Sequence, residues 1–322
     1  MTVLTQRLYV GAVDHVALAD FLNLCAEFDQ LDSFTTPESL ELSFTAPGVN
    51  PQQDVCFWED SDGQLIAFCA IHFPQEEVEP LDGSVWFRIH PDARRKGLMS
   101  DILTWAEHRV RQVGRDRQLP VQLRAGSRAT LRYRIEGLEA HGFRQDRCFH
   151  TLQRSLNTPI STPDLPDGFT IRQFLGKDEV ENWVEMFNQS FIDHWNHHPL
   201  TVERTLHWLK DPDYRPELDL VAIAPDGTLA AFCYCSIDTA YNQKKNCREG
   251  WVDLLGTRRG FRRKGLGRAL LLEGLARLSA AGMDTAKIGV DSQNPNRAYV
   301  LYESVGFQLL HSGLSFVKEL SE

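Results

Sequence analysis

Arg262-Arg263-Lys264-Gly265-Leu266-Gly267 is the stretch that decides how this chain is read. A strand-like apolar run, Trp251 to Leu255, leads into it, and a helix-like run, Arg268 to Leu278, leaves it. Strand, basic glycine loop and helix together form a physical recipe for holding a pyrophosphate. A helix N-terminus presents unpaired N–H groups and a partial positive charge. Glycines allow the backbone to approach phosphate oxygens closely, and the flanking cations add charge where the anion sits. The net charge of the chain is −10, yet positions 258 to 264 carry five basic residues. Positive charge confined to one loop suits a discrete phosphate site; a nucleic-acid binder carries it over a whole face.

About forty residues later comes Asn294-Pro295-Asn296-Arg297-Ala298-Tyr299-Val300-Leu301-Tyr302-Glu303-Ser304-Val305-Gly306-Phe307. The two segments together resemble the signature of the GNAT superfamily, the acetyl-CoA-dependent N-acetyltransferases. In that family an Arg/Gln-x-x-Gly-x-Gly/Ala loop cradles the CoA pyrophosphate, and Arg262, Gly265 and Gly267 match it. A later Asn…Ala-x-x-Leu-Tyr-x-x-x-Gly-Phe segment supplies a second CoA contact and a tyrosine acid. Asn294, Ala298, Leu301, Tyr302, Gly306 and Phe307 match that. The resemblance implies an α/β fold: a mostly antiparallel mixed sheet that splays in a V, with helices on both faces and CoA in the splay.

The motif occurs twice. His90-Pro91-Asp92-Ala93-Arg94-Arg95-Lys96-Gly97-Leu98-Met99 echoes Arg258 to Gly267, with Arg262 lying 168 residues after Arg94. His141-Gly142-Phe143 echoes Val305-Gly306-Phe307, with Phe307 lying 164 residues after Phe143. Two matches at nearly one offset imply a duplicated domain. The Pro-, Ser-, Thr- and Asp-rich stretch 157–166 suits a linker between residues 1–156 and 167–322. In the second half, 169–174, 218–224, 228–237, 251–255, 287–291 and 307–318 read as strands. Residues 178–191, 201–210, 268–280 and 295–304 read as helices.

The resemblance places a carboxylate base about nine residues ahead of the motif arginine. In the second half that position is Asp253, and Glu249 and Trp251 share its face by the two-residue period. Tyr302 falls at the position of the acid. The first-half equivalents are Val85 and Leu138, which carry no proton, and the last motif glycine is Met99, expected to crowd a pyrophosphate. The first half therefore reads as degenerate and non-catalytic. The implied mechanism is direct attack of an amine on the acetyl thioester. Asp253 or Glu249 takes the amine proton, backbone N–H groups around Leu255, Gly256 and Thr257 polarise the carbonyl, and Tyr302 protonates the leaving sulfur. The expected CoA contacts are those three residues with Arg262, Arg263, Lys264, Gly265, Leu266, Gly267, Arg268, Asn294 and Arg297. Asn294 is also a candidate cap for the following helix.

A further cluster, Asp193-His194-Trp195-Asn196-His197-His198, lacks the spacing of metal ligands, and no metal is expected. An Asp-His-Trp segment lies at the acceptor site in tandem GNAT sequences, so His194 and Trp195, with Trp251, are expected to bind substrate. The tandem layout is similar to that of mycothiol synthase, which acetylates the cysteine amine of a sugar–inositol thiol precursor. In that family the base is a glutamate where this chain has Trp251, so a different small amine, such as an aminoglycoside, is an equal candidate. A non-catalytic CoA-binding or sensing protein is the alternative from another class. With 42% apolar and 24% charged residues and seven cysteines without CxxC spacing, the chain reads as cytoplasmic with reduced cysteines. No membrane or nucleic-acid partner is expected, and the protein is either a monomer with an internal pseudo-dimer or a homodimer.

Overall fold

The computed structural model describes residues 4–75, 79–94 and 97–320. Its contacts divide the chain into two units, one of residues 1–147 with 313–322 and one of residues 148–312. Neither division falls in the 157–166 stretch expected from the sequence.

Unit 1 runs β1 (Thr5–Leu8), α1 (His15–Phe28), α2 (Pro37–Phe44), α3 (Pro51–Asp54), β2 (Val55–Glu59), β3 (Leu65–His72), β4 (Leu81–Ile89), α4 (Leu98–Arg117), β5 (Val121–Arg128) and α5 (Arg132–Ala140). Strands β1 to β4 pair antiparallel in sequence order, while β4 and β5 run parallel. The last strand of this sheet comes from the far end of the chain, residues 313–320 pairing antiparallel with β5 from Gly313↔Arg128 to Leu320↔Val121. Phe316, fully buried, belongs to the same apolar cluster as Phe87, Ile102 and Leu103.

β6 (Arg144–Ser155) crosses from one unit into the other, and its residues from Cys148 onward belong to unit 2. There follow β7 (Thr170–Gln173), α6 (Val180–Phe191), α7 (Val202–Trp208), β8 (Asp219–Ile223), β9 (Leu229–Ser236), α8 (Thr239–Lys245), β10 (Glu249–Thr257), α9 (Leu266–Ala280), β11 (Thr285–Asp291), α10 (Ala298–Ser304) and β12 (Gln308–Leu320). The unit 2 sheet has the order β7-β8-β9-β10-β11-β6 and is antiparallel except between β10 and β11. One face is covered by α9, whose Leu270, Leu271, Leu275 and Leu278 are buried at the spacing of one helical stripe. The other carries α6, where the fully buried Trp183 packs on Phe174 and Phe232.

Each unit thus closes its sheet with a strand from the opposite half of the sequence. A repeat offset counts positions along the chain, whereas a strand joins whichever sheet edge offers it a complete ladder. The helix after Asn294 is shorter than its sequence pattern, starting at Ala298 after a turn, and α8 was not anticipated. Its start is set by Asp238, whose side chain accepts from the Tyr241 amide at 2.7 Å. All seven cysteines are free, and Cys233 and Cys235 lie on one face of β9 with sulfurs 3.8 Å apart. Among the described residues no helix is long and apolar enough to cross a membrane.

Because Phe316 lies near the end of the chain yet inside the unit 1 core, Phe316→Ala is expected to cost about 3–5 kcal/mol. Urea unfolding followed by tryptophan fluorescence measures this.

Candidate active site

The functional geometry follows from the place where β10 and β11 separate. Their parallel pairing covers only Glu249↔Thr285 to Val252↔Ile288. Beyond Val252 the strand continues to Thr257 against β9 alone, after a register shift between Val252 and Leu254 that marks a bulge at Asp253. Alternate backbone polar groups of residues 254–257 therefore face a gap, not a neighbouring strand. The gap opens into a cleft of about 840 Å³, lined among others by Asp253, Leu255, Gly256, Thr257, Val290 and Tyr302. That volume suits a small molecule or cofactor.

At one end of the cleft the chain turns from β10 into α9. Arg263 (φ 63°) and Gly265 (φ 90°) both adopt the left-handed conformation. The αL conformation is strained for residues with a Cβ and routine for glycine. Gly265 is the N-cap of α9 and gives it no side-chain cap. At this end the Ala269 amide donates to the Gly265 carbonyl at 3.1 Å. The amides of Leu266, Gly267 and Arg268 thus stand at the open end of a fifteen-residue helix and beside the cleft. This is an anion cradle made of backbone. Gly256 is required for a different reason, since a Cβ there would lie 2.4 Å from the Phe232 ring.

The basic side chains of the loop are less available than the sequence suggests. Arg262 donates from Nε to the Thr257 carbonyl (3.2 Å), from Nη2 to the Ser190 carbonyl (2.9 Å) and from Nη1 to Asp193 (2.7 Å). Arg259 also binds Asp193, and Arg258 binds Glu185 and Gln189, each at 2.6 Å. These guanidinium contacts hold the Asp193 carboxyl below its usual range, the Arg262 hydrogen bond being the largest cause. Three of the five cations thus brace the loop against α6 and its C-terminal end. Arg263 is exposed and lines the cleft; Lys264 lies 5.3 Å from the centre of the Phe261 ring and does not line it. Arg268 lines the cleft and donates to Ser304 at 2.6 Å.

Two proton-transfer candidates reach the same space. Asp253 lines the cleft and is itself exposed to it, although the surrounding cleft walls crowd it with protein. This loss of bulk water pushes its carboxyl up to about 6, with the Ser236 hydroxyl acting in the opposite sense. Tyr302 on α10 is 6% exposed and lines the cleft. Burial raises its phenol above the ordinary value, with the neighbouring Cys233 adding to the rise, so it stays protonated at neutral pH. Glu249 is elsewhere. Its carboxylate takes a 2.6 Å ion pair from Lys287, which is only 2% exposed, and it does not line the cleft. Trp251 faces the same lysine, 5.8 Å from ring centre to nitrogen. The period-two face that joins 249, 251 and 253 in the sequence is broken by the bulge, which leaves only Asp253 at the cleft.

Of the remaining expected residues, Asn294, Arg297 and His194 line the cleft and Trp195 does not. Trp195 instead lies 5.8 Å from the Phe149 ring. Asn294 does not cap α10. Its side chain accepts from the Asn296 amide at 2.9 Å, and the N-cap position is Arg297 in the left-handed region. Among the described residues no three His, Cys, Asp or Glu side chains form a metal-binding group. His150 was missed. It lines the cleft from β6, with Nδ1 2.9 Å from the Ser312 hydroxyl and its ring 5.9 Å from Tyr299. No motif covers it, because it lies before the linker in sequence.

The acetyltransferase (GNAT) family matches the chain over residues 19–133 and 180–307. A mycothiol acetyltransferase from Thermobispora bispora is 34% identical over 167 residues, 52% of this chain and 55% of that protein. Another from Rothia mucilaginosa is 25% identical over 89% of this chain and 84% of that protein. In the Thermobispora and Salinispora arenicola relatives, the match spans about half the relative's length, 55% and 53%. A GCN5-related N-acetyltransferase from Sphaerobacter thermophilus superposes with TM-score 0.74 at 24% identity, covering 98% of this chain and 95% of that one. A tandem GNAT protein from the clavulanic acid biosynthesis pathway superposes with TM-score 0.70 at 16% identity, covering 99% and 100%. Both show the fold.

The brace makes a structural prediction. Asp193→Ala frees two arginines from their anchor, so backbone amides across 258–265 are expected to exchange with deuterium faster than in the parent protein, with exchange in α4 unchanged. Peptide-resolved hydrogen exchange reads this.

Proposed function

The chain belongs to the acetyltransferase (GNAT) family, and from that premise we propose that it is an N-acetyltransferase whose unit 2 cleft moves an acetyl group from acetyl-CoA to a primary amine of a small molecule. The observation that carries the reading is one cleft bounded at once by the uncapped end of α9, by Asp253 and by Tyr302. An anion cradle, a carboxylate base and a protonated phenol are the three chemical parts that amine acylation by a thioester needs.

In this mechanism the donor pyrophosphate rests on the amides of Leu266, Gly267 and Arg268, with the exposed Arg263 adding positive charge beside it. Arg262 acts by holding the loop. The thioester arm extends along the gap between β10 and β11, where cleft-facing backbone N–H groups of residues 254–257 bind its carbonyl oxygen. A protonated amine has no lone pair to give, so the acceptor must lose a proton. Asp253, ionised above about pH 6, accepts it directly or through water. The amine nitrogen bonds to the acyl carbon, the carbon–sulfur bond breaks, and Tyr302 delivers its proton to the departing thiolate. Holding both substrates in register supplies much of the rate, because no covalent enzyme intermediate is formed.

A second reading concerns the acceptor. The names of the relatives, and the length over which the Rothia protein matches, favour a mycothiol-type cysteinyl amine. The tryptophan at 251, where that family carries its glutamate, weighs against it. Side-by-side turnover of a cysteinyl amine and an aminoglycoside separates the two.

The pH dependence has a defined sign. A base works only when ionised, and the protein crowded around the cleft has raised the Asp253 carboxyl to about 6, so kcat/KM is expected to fall as pH drops through about 6 and to level off above it. Asp253→Asn is expected to remove that limb and lower kcat by about 10²–10⁴-fold. For Tyr302→Phe the expectation is a kcat about 100-fold lower with acetyl-CoA affinity retained. Unchanged function in the tyrosine variant would support a CoA-sensing protein instead.

A further inference from the structure

Unit 1 meets the same separation of parallel strands and fills it. The β4–β5 ladder runs from Leu81↔Val121 to Val85↔Ala125 and stops. Just beyond its end, Arg134 of α5 donates from Nη1 to the Phe87 carbonyl of β4 (2.9 Å) and from Nε to the Gly126 carbonyl of β5 (2.7 Å). Its guanidinium carbon sits 3.6 Å from the centre of the Phe87 ring, and the residue is 3% exposed. One side chain therefore ties together the two strands that have parted. By the repeat offsets, Phe87 corresponds to Leu255, Gly126 to Val290 and Arg134 to Ala298. All three unit 2 counterparts line the cleft.

We propose that Arg134 is a built-in plug that closes the acyl-donor gap of unit 1, so that the chain holds one donor site instead of two. This rests on the reading of the unit 2 cleft as the donor site. A parted pair of strands leaves carbonyls and amides without partners, and a buried polar group without a partner is costly. In unit 2 a ligand amide can meet them. In unit 1 the guanidinium does so, and the two carbonyls and the ring face offset the cost of burying its charge.

Two neighbouring features agree. Arg88 donates to the same Phe87 carbonyl at 2.9 Å, so that oxygen already accepts from two guanidiniums. Met99, expected to crowd a pyrophosphate, turns the other way. It is 8% exposed, and its sulfur lies 2.2 Å from where a Cβ on Gly137 would be. In unit 2 the corresponding pair is Gly267 and Leu301. The bulk has moved from one helix to the other, and Met99 packs against α5 at Gly137. Degeneracy of unit 1 therefore arises less from a spoiled phosphate loop than from a filled strand gap.

Calorimetric titration of the full chain with coenzyme A, under reducing conditions, tests the proposal by stoichiometry. One site per chain is expected. Two sites would overturn the plug while leaving the unit 2 reading intact, and no site would overturn the unit 2 reading and the plug with it. Arg134→Ala is expected to add a second site at least ten-fold weaker than the first, and a count that stays at one in a cooperatively folded variant would contradict the proposal. If that variant does not fold, the reciprocal change decides. Ala298→Arg is expected to abolish the single site while circular dichroism and cooperative unfolding persist, and undiminished binding would refute the idea that an arginine at this repeat position closes the gap.

Discussion

The proposed function depends on two parallel strands that are hydrogen-bonded for only a few residues and then part. In unit 2 the ladder of β10 and β11 ends at Val252 and Ile288. Parting exposes backbone polar groups inside a folded domain, and those groups need partners. It also makes room for something to lie between the strands. The bulge at Asp253 occurs at the same point and aims a carboxylate into the opening. The open end of α9 stands at the mouth, and α10 brings Tyr302 to the wall. Unit 1 satisfies the same constraint with Arg134, which removes the room.

The arginine of the glycine loop has a role that its motif conceals. Arg262 spends its nitrogens on Thr257, Ser190 and Asp193. The first-half counterpart does the same: Arg94 forms a two-pronged ion pair with Asp29, at 2.7 and 2.9 Å, and also donates to the Ile89 carbonyl. Both units thus use this arginine to fasten the strand-to-helix turn to the end of an earlier helix. A guanidinium suits the task because its fork can meet a carboxylate and backbone carbonyls at once. In the proposed mechanism, phosphate recognition falls to backbone amides, whose direction the brace fixes.

The fold class, the duplication and the loop were legible in the sequence because each rests on local signals: glycine spacing, a leucine stripe in 270–278, and echoes at a steady offset. Asp253, Tyr302 and the α9 terminus, each singled out in the sequence, border one cleft. What the sequence hid was non-local. Glu249 and Trp251 share a two-residue period with Asp253, but a bulge, which leaves no reliable sequence mark, interrupts that period. Lys287 then claims the glutamate. His150 joins the cleft from a strand that the linker appeared to assign to the other half. The exchange of final strands between sheets is likewise invisible to a repeat comparison, because the repeat preserves order along the chain and not pairing. Arg134 reads as an ordinary helix arginine until its carbonyl partners are seen.

The most direct test of the account is hydrogen–deuterium exchange of the full chain with and without acetyl-CoA, resolved to short peptides. The account predicts slowed exchange at residues 253–257 and 265–268, with smaller effects across 294–302, and no change at residues 86–89 or 97–100 of unit 1. Protection at the unit 1 segments, or none at the α9 terminus, would contradict the claim that the gap between β10 and β11 is where this chain binds its acyl donor.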